Sequence, residues 1–261
     1  MFITRRRRSF VSGPVSPPVP PIAAPTLTSG NTFLYDWDFG DSSKVSATGG
    51  LINNVISKGT DTKTIVGTTT TRPTVDTRLG KQAARFTLAN ATFMQAAGVN
   101  LPPGGSFVAI NEFINLTIMQ GIASKVGATA SVSQNRTELY TATTTGLAMR
   151  KGGTGAGSAV DASYASNPSG IHCLVGTADP TTGAIALYVD GTSTPVTAAG
   201  PITGTNDTMV QVGARWVNGA MQSPADSYQW RVLFSQATLN ALDAEEIAIW
   251  AAANYGTPNI A

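Results

Sequence analysis

One cysteine, one histidine and a charge content of 12% set the first limits on this 261-residue chain. A single cysteine excludes an intrachain disulfide, and its place in the apolar run IHCLVG (171–176) marks Cys173 as a small buried hydrophobe rather than a nucleophile. His172 cannot by itself supply a multi-histidine metal site, and no Ser or Cys motif around it forms a triad. No stretch approaches the roughly 18 apolar residues of a membrane helix, so no membrane association is expected. A secretory signal is not expected either. It needs an apolar run of about 7–15 residues after its positive charges, and here SFVSGPVSPPVPP follows them. Glu, Lys and Gln are scarce while Gly, Thr, Val and Ser abound, which leans the chain toward strands.

What charge there is lies unevenly. Arg5, Arg6, Arg7 and Arg8 account for four of the seventeen basic residues, leaving thirteen against fifteen Asp and Glu, so the remainder carries about −2. The basic balance belongs to the N-terminus. No nucleic-acid-binding surface is expected on the body, and only the arginine tip could meet nucleic acid.

Six of the fifteen prolines fall between Pro14 and Pro25. Proline fixes φ and removes an amide donor, so residues 1–30 predict an extended, polyproline-like arm rather than a helix or central strand. Such a segment is held either by a partner's surface or by folding back over its own domain. An exposed Arg–carboxylate pair is worth about 0–1 kcal/mol, whereas a fully buried apolar side chain contributes roughly 1.5–3 kcal/mol. The anchoring residues are therefore expected to be Phe2, Ile3, Phe10 and Val11 with the cationic tip Arg5 to Arg8, supported by Val15, Val19, Ile22 and Leu27. Residues 9 to 30 at about 3.1 Å each span roughly 70 Å, enough to cross between subunits. Removing residues 1 to 25 is expected to leave the domain folded.

Residues 31–261 predict one all-β domain. Tyr228, Trp230, Val232 and Phe234 alternate with Ser227, Gln229, Arg231 and Leu233, and period two places the four large residues on one face. IHCLVGTADPTTGAIALYVDG reads as a hairpin closed by Asp179 to Gly183, then a tight turn at Asp190-Gly191 into a third strand. RFTLA (85–89), SFVAINEFINLTIM (106–119) and MVQVGA (209–214) add strands. One helix is predicted over 240–255: Asn240 is the cap, Asp243, Glu245 and Glu246 fall in its early turns, and Gly256 and Pro258 stop it. Ala244, Ile247, Ala248 and Ala251 form its apolar stripe with Trp250 beside it. The glycine-rich KGGTGAGSAVDASYASNPSG leads into another strand, not a helix, and so reads as a loop and not a phosphate cradle.

The order WDFGDSS, TRPTV with GKQAARF, GIHCLVGTADPTTGAIALYVDG, VQVGAR and a Trp-containing strand leading to a helix ending NYG, over roughly residues 33–256, resembles the laminin-G-like, concanavalin-A-like jelly roll of bacteriophage structural proteins. The resemblance implies two antiparallel sheets packed face to face, with rim loops that bind sugars or calcium in some relatives. No strand carries the alternating acids that a retaining glycosidase of this fold would need about 5–5.5 Å apart. Asp36 and Asp38 alternate, but no third acid follows in register. Asp179, Asp190 and Asp207 are dispersed, and turn chemistry explains Asp190 without calcium. Hence no catalytic, cofactor or metal residue is predicted. Of the four tryptophans, Trp230 and Trp250 suit a core, and Trp216, among loop-type residues in ARWVNGAMQS, is the candidate glycan contact. The expectation is a non-enzymatic virion protein. Its arm would bind other virion proteins in a capsid, neck or tail, while a homo-oligomeric jelly roll projects as decoration, fibre or host-attachment module, with a host surface glycan as a further partner. The alternative is a carbohydrate-binding or carbohydrate-processing protein of the concanavalin-like fold.

Overall fold

Strand alternation and turn chemistry produce nineteen strands and one helix among the described residues of the computed structural model. These residues are 21–114, 119–126, 136–143, 146–152, 160–164, 170–192, 195–199, 207–217 and 220–258; the predicted anchoring residues Phe2, Ile3, Arg5, Arg6, Arg7, Arg8, Phe10 and Val11 lie outside them. In chain order the strands begin with β1 (Tyr35–Asp38), β2 (Val45–Thr48), β3 (Leu51–Ile56), β4 (Thr64–Val66), β5 (Thr74–Arg78), β6 (Lys81–Phe86) and β7 (Met94–Leu101). There follow β8 (Gly105–Phe113), β9 (Gly121–Val126), β10 (Arg136–Thr143), β11 (Gly146–Lys151), β12 (Val160–Tyr164), β13 (Gly170–Ala178) and β14 (Ala184–Val189). β15 (Val196–Ala199), β16 (Asp207–Val212), β17 (Arg215–Val217), β18 (Ala220–Gln222) and β19 (Ser227–Ser235) lead to α1 (Ala241–Tyr255).

Every pairing among the described strands is antiparallel. One sheet runs β5, β6, β19, β8, β13, β14, β15, with β1 beside the C-terminal half of β19. The other runs β4, β7, β16, β9, β10, β11, β12. β3 bonds to both β4 and β5 and so joins the sheets at a corner, while β17 and β18 form a hairpin of their own. The facing sides share a core that includes Trp37, Phe39, Phe86, Phe107, Leu139, Met149, Val212 and Phe234. A second core lies between the outer side of the first sheet and α1, built from Val108, Ile110, Val175, Leu233, Ile247 and Ala251. The molecule is a β-sandwich with a helix packed on one face, as the sequence pattern predicts.

The glycine-rich segment read as a loop carries a strand, β12, in its middle, where Val160–Tyr164 pair with β11. Two further expectations change. The register of β19 against β8 shifts between Gln229 and Arg231, which marks a β-bulge at Trp230. Tyr228 and Trp230 therefore face the helix, while Val232 and Phe234 face the sandwich core, instead of all four sharing one side. A period-two count cannot survive an inserted residue. The bulge also turns Arg231 to the helix side, where it becomes wholly buried.

The second correction concerns the arm's C-terminal end. Leu27 is buried in the helix-side core and Ile22 packs against it, so both serve their own domain rather than a partner. The carbonyl of Ile22 accepts from Lys58 Nζ at 3.0 Å and Arg231 Nη1 at 2.9 Å, and that of Ala23 from Trp250 Nε1 at 3.1 Å. Ser29 and Asn31 donate to the carboxylate of Asp243. Prolines leave carbonyls without ladder partners, and the side chains of Lys58, Arg231 and Trp250 supply the missing donors. Removing residues 1 to 25 would strip acceptors from the buried Arg231 and the half-buried Lys58, so the stretch that packs on the domain begins by residue 22.

α1 is as predicted. Asn240 and Asp243 form a reciprocal capping box, Gly256 closes the helix at φ 75°, and Ala244, Ile247, Ala248 and Ala251 are buried.

Candidate functional site

β10 opens with Arg136-Thr137-Glu138-Leu139-Tyr140, in which Leu139 enters the core, so Arg136, Glu138 and Tyr140 face outward from the second sheet. An outward face normally alternates polar residues with water. Here Glu138 and Tyr140 are buried, and Arg136 is nearly so.

The strand register extends this observation. Gln211 stands opposite Gln95 on one side and Ser124 on the other; Ser124 stands opposite Glu138, Glu138 opposite Arg150, and Arg150 opposite Asp161. One ladder of directly opposed polar residues thus crosses six strands from β7 to β12. Arg215, at the start of β17, reaches into it from the sequence-distant hairpin. Its Nε and Nη2 donate to the two oxygens of Glu138 at 3.1 and 2.7 Å. Arg150 donates to both oxygens of Asp161 at 2.6 Å, and its Nη1 lies 3.9 Å from Glu138. Arg136 Nε lies 3.2 Å from Glu138. The guanidiniums of Arg150 and Arg215 sit 4.8 and 4.3 Å from the centre of the Tyr140 ring. Gly121 makes room for the hairpin base: a Cβ there would fall 2.2 Å from the carbonyl carbon of Ala214.

Burial and charge leave marks on these groups. Burial pulls the Arg136 guanidinium below its ordinary range and pushes the Tyr140 phenol up. Burial acts most strongly and would raise the Asp161 carboxyl, but the hydrogen bond and charge of Arg150, the hydrogen bond of Tyr140 and the charge of Arg215 together outweigh it and hold the group low. Gln211 is wholly buried, yet neither end of its amide has a partner among the described residues, and Ser124 Oγ is likewise unmatched. Such groups cost free energy unless something bonds to them.

The acids considered for calcium do not meet. Asp179 accepts from the backbone of Thr181 and Thr182 in its own turn, and Asp190 accepts from Cys173 N at 2.8 Å and lies 2.7 Å from His172 Nδ1. Asp207 is buried beside Lys125 at 3.1 Å, between the sheets. Asp36 is held by Arg231 Nε and Nη2 at 2.6 and 2.5 Å, and Asp38 by Lys58 at 2.6 Å. Among the described residues no group of three or more His, Cys, Asp or Glu converges. Cys173 is fully buried, and burial pushes its thiol far above the ordinary range. Trp37 is wholly buried, with Nε1 donating to the Lys63 carbonyl at 2.9 Å, and Trp230 is buried as predicted. Trp216 sits next to Arg215 in β17, opposite Met221 of β18; its side chain lies outside the described residues. The ladder escaped the sequence reading because its members are scattered from residue 95 to 215. The alternation of Arg136, Glu138 and Tyr140 was its one local signal.

No family model matches this chain, and no curated protein matches it in sequence. Solved structures do match in fold. Domain 4 of AbnA, a GH43 extracellular arabinanase from Geobacillus stearothermophilus solved in complex with arabinotriose, aligns over 84% of this chain and 98% of its own length, with a TM-score of 0.53 and 14% identity. The Trypanosoma rangeli sialidase, in complex with the inhibitor DANA, aligns over 86% of this chain and 33% of its own, with a TM-score of 0.54 and 10% identity. The chain has the sandwich fold found among carbohydrate-binding and sialidase domains. At these identities the likeness concerns fold alone.

Proposed function

We propose that this chain is a carbohydrate-binding module, without catalytic activity of its own, that holds a glycan against the outer face of β16, β9, β10 and β11. The observation that carries the reading is the buried Gln211 amide, unmatched at both ends, in register with Ser124 and the Glu138–Arg150 pair. Hydroxyl-rich rings suit such a row, because each hydroxyl both donates and accepts. Trp216, beside Arg215, is proposed to supply the stacking surface. The arabinanase domain crystallised with arabinotriose supports the class of ligand, since its fold resembles this one across nearly its full length.

The test is a glycan array followed by calorimetry with the full chain and Gln211→Leu. Binding should weaken by about tenfold or more in the variant, in line with loss of one or two hydrogen bonds. Thermal stability should hold or rise, because Gln211 has no hydrogen-bond partner among the described residues to lose. A stable variant that binds every glycan as the parent does would refute the site.

The basic arm is proposed, from the sequence resemblance, to tether the module to a larger assembly, specifically other proteins of a bacteriophage virion, with a host surface glycan as its target and the projecting domain homo-oligomeric. Deleting residues 1–20 should leave the domain folded and abolish incorporation into particles. Particles that retain the shortened chain at full occupancy would overturn this.

A further inference from the structure

Between the sheets lies a cluster of three titratable side chains that the glycan-binding face does not use. Lys125 of β9 points inward, with Nζ 5.4 Å from the centre of the Phe234 ring, and is wholly buried. The same Nζ lies 3.1 Å from Oδ2 of Asp207, which opens the neighbouring strand β16 and is wholly buried too. Lys151 of β11 is the third member, buried and near enough for its charge to act on both.

Two features separate this contact from an ordinary salt bridge. Lys125 Nζ also donates to the carbonyls of Pro102 and Gly104, the latter at 2.6 Å. An ammonium has three N–H bonds and a neutral amine two, so both forms can satisfy these carbonyls, and the neutral form keeps its lone pair for Asp207. Asp207, for its part, makes no hydrogen bond through either oxygen among the described residues, so none holds it as a carboxylate. Burial favours the neutral form of each group: it pushes Lys125 down to about 8 and raises the Asp207 carboxyl above its ordinary range. Passing one proton from Lys125 to Asp207 yields amine and acid without changing the net charge of the cluster. The 3.1 Å separation lies within the range of reactants poised for attack, and fixing two groups in this way is equivalent to concentrations of about 10⁵–10⁸ M.

We infer that Lys125 and Asp207 condense in the folded protein to an isopeptide bond that joins β9 to β16. The amine nitrogen adds to Cγ of the protonated Asp207; the C–N bond forms, the C–OH bond breaks, and the hydroxyl leaves as water with one proton from the nitrogen. The nitrogen keeps its other proton as the amide N–H, and no oxidant, reductant or co-reactant takes part. A neutral amide replaces a buried ion pair whose desolvation is unfavourable. With one cysteine the chain cannot form an intrachain disulfide, and this link is a covalent staple of another kind. Condensed chains no longer carry the Lys125 amine, so its titration belongs to uncondensed chains alone.

The experiment is intact mass spectrometry of the denatured full chain, followed by peptide mapping. Most molecules should be lighter than the sequence requires by one water. Trypsin should then release a branched peptide, uncut after Lys125, in which the segment bearing Lys125 is joined to the segment bearing Asp207. An aspartate that closes on its own backbone loses the same mass but gives no branched peptide, so the map separates the two reactions. Lys125→Met should restore the full mass. A folded parent chain of full mass would overturn the inference, as would a water loss that maps to a linear peptide. Persistence of the loss in folded Lys125→Met would overturn it too, by placing the reaction elsewhere. If Lys125→Met fails to fold, the branched peptide of the parent decides by its presence or absence. None of these readings depends on a glycan.

Discussion

Arg231 and Arg215 are both buried arginines on outer faces of the same sandwich, and each grips a carboxylate through Nε and Nη2. Their surroundings differ. Around Arg231 the remaining donors are used by the chain itself: Nη1 meets the Ile22 carbonyl, and the guanidinium lies 5.0 Å from the Trp250 ring centre. Lys58 beside it is shared among Asp38, Asp41 and the same carbonyl. That cluster is a clasp, closed by residues 22–31 and α1. Around Arg215 the remaining contact is Nη1 with the Met119 sulfur rather than a backbone carbonyl, and the neighbouring Gln211 amide is unmatched among the described residues. A buried cation that has recruited carbonyls serves folding, whereas the row beside Arg215 is the face proposed above to hold a ligand.

The sharpest way to break this contrast is Arg231→Met. It leaves Asp36 buried without its partner, and a loss of about 3–5 kcal/mol is expected in urea titration. A smaller loss would mean that Asp36 finds Lys58 instead.

Next is Lys151→Met, inside the sandwich. Lys151 Nζ has no hydrogen-bond partner among the described residues, and burial lowers its pKa. Replacement by an apolar side chain of similar length should stabilise the fold by about 1–4 kcal/mol. The pH dependence of the parent before condensation gives a second reading. Lys125 has a folded pKa of about 8 against an ordinary 10.5, so between these values the unfolded chain binds more protons. Stability at neutral pH is therefore reduced, and it should rise as pH climbs from about 8 to 10.5. In Lys151→Met the rise should be shallower, since the repulsion from Lys151 is gone. Parallel curves for the two proteins would sink the argument.

The mildest test is Asn240→Ala, which removes half of the capping box at the start of α1 and should cost about 1 kcal/mol. Because Asp243, the other half, also holds Ser29 and Asn31, amide exchange should quicken in residues 27–31 as well as in the first helical turn. Exchange confined to the helix would separate the clasp from the cap.

Local chemistry made much of this molecule readable in advance. The turn residues Asp179 to Gly183 predict the β13–β14 hairpin, and Asn240, Asp243 and Gly256 predict α1 almost to the residue, because caps and turns depend on neighbours in sequence. The bulge at Trp230 was not readable, since an inserted residue leaves no mark on alternation. Nor was the fate of Ile22 and Leu27, whose apolar character fits a partner's surface and their own domain equally well.

Sequence alone determined the β class, the final helix, the buried role of Cys173 and the concentration of positive charge in the first eight residues, all of which follow from composition or short-range spacing. Tertiary structure decided which polar residues meet. Gln95, Ser124, Glu138, Arg150, Asp161 and Gln211 become one row only through strand register, and register is fixed by packing across the whole sandwich rather than by any residue's neighbours.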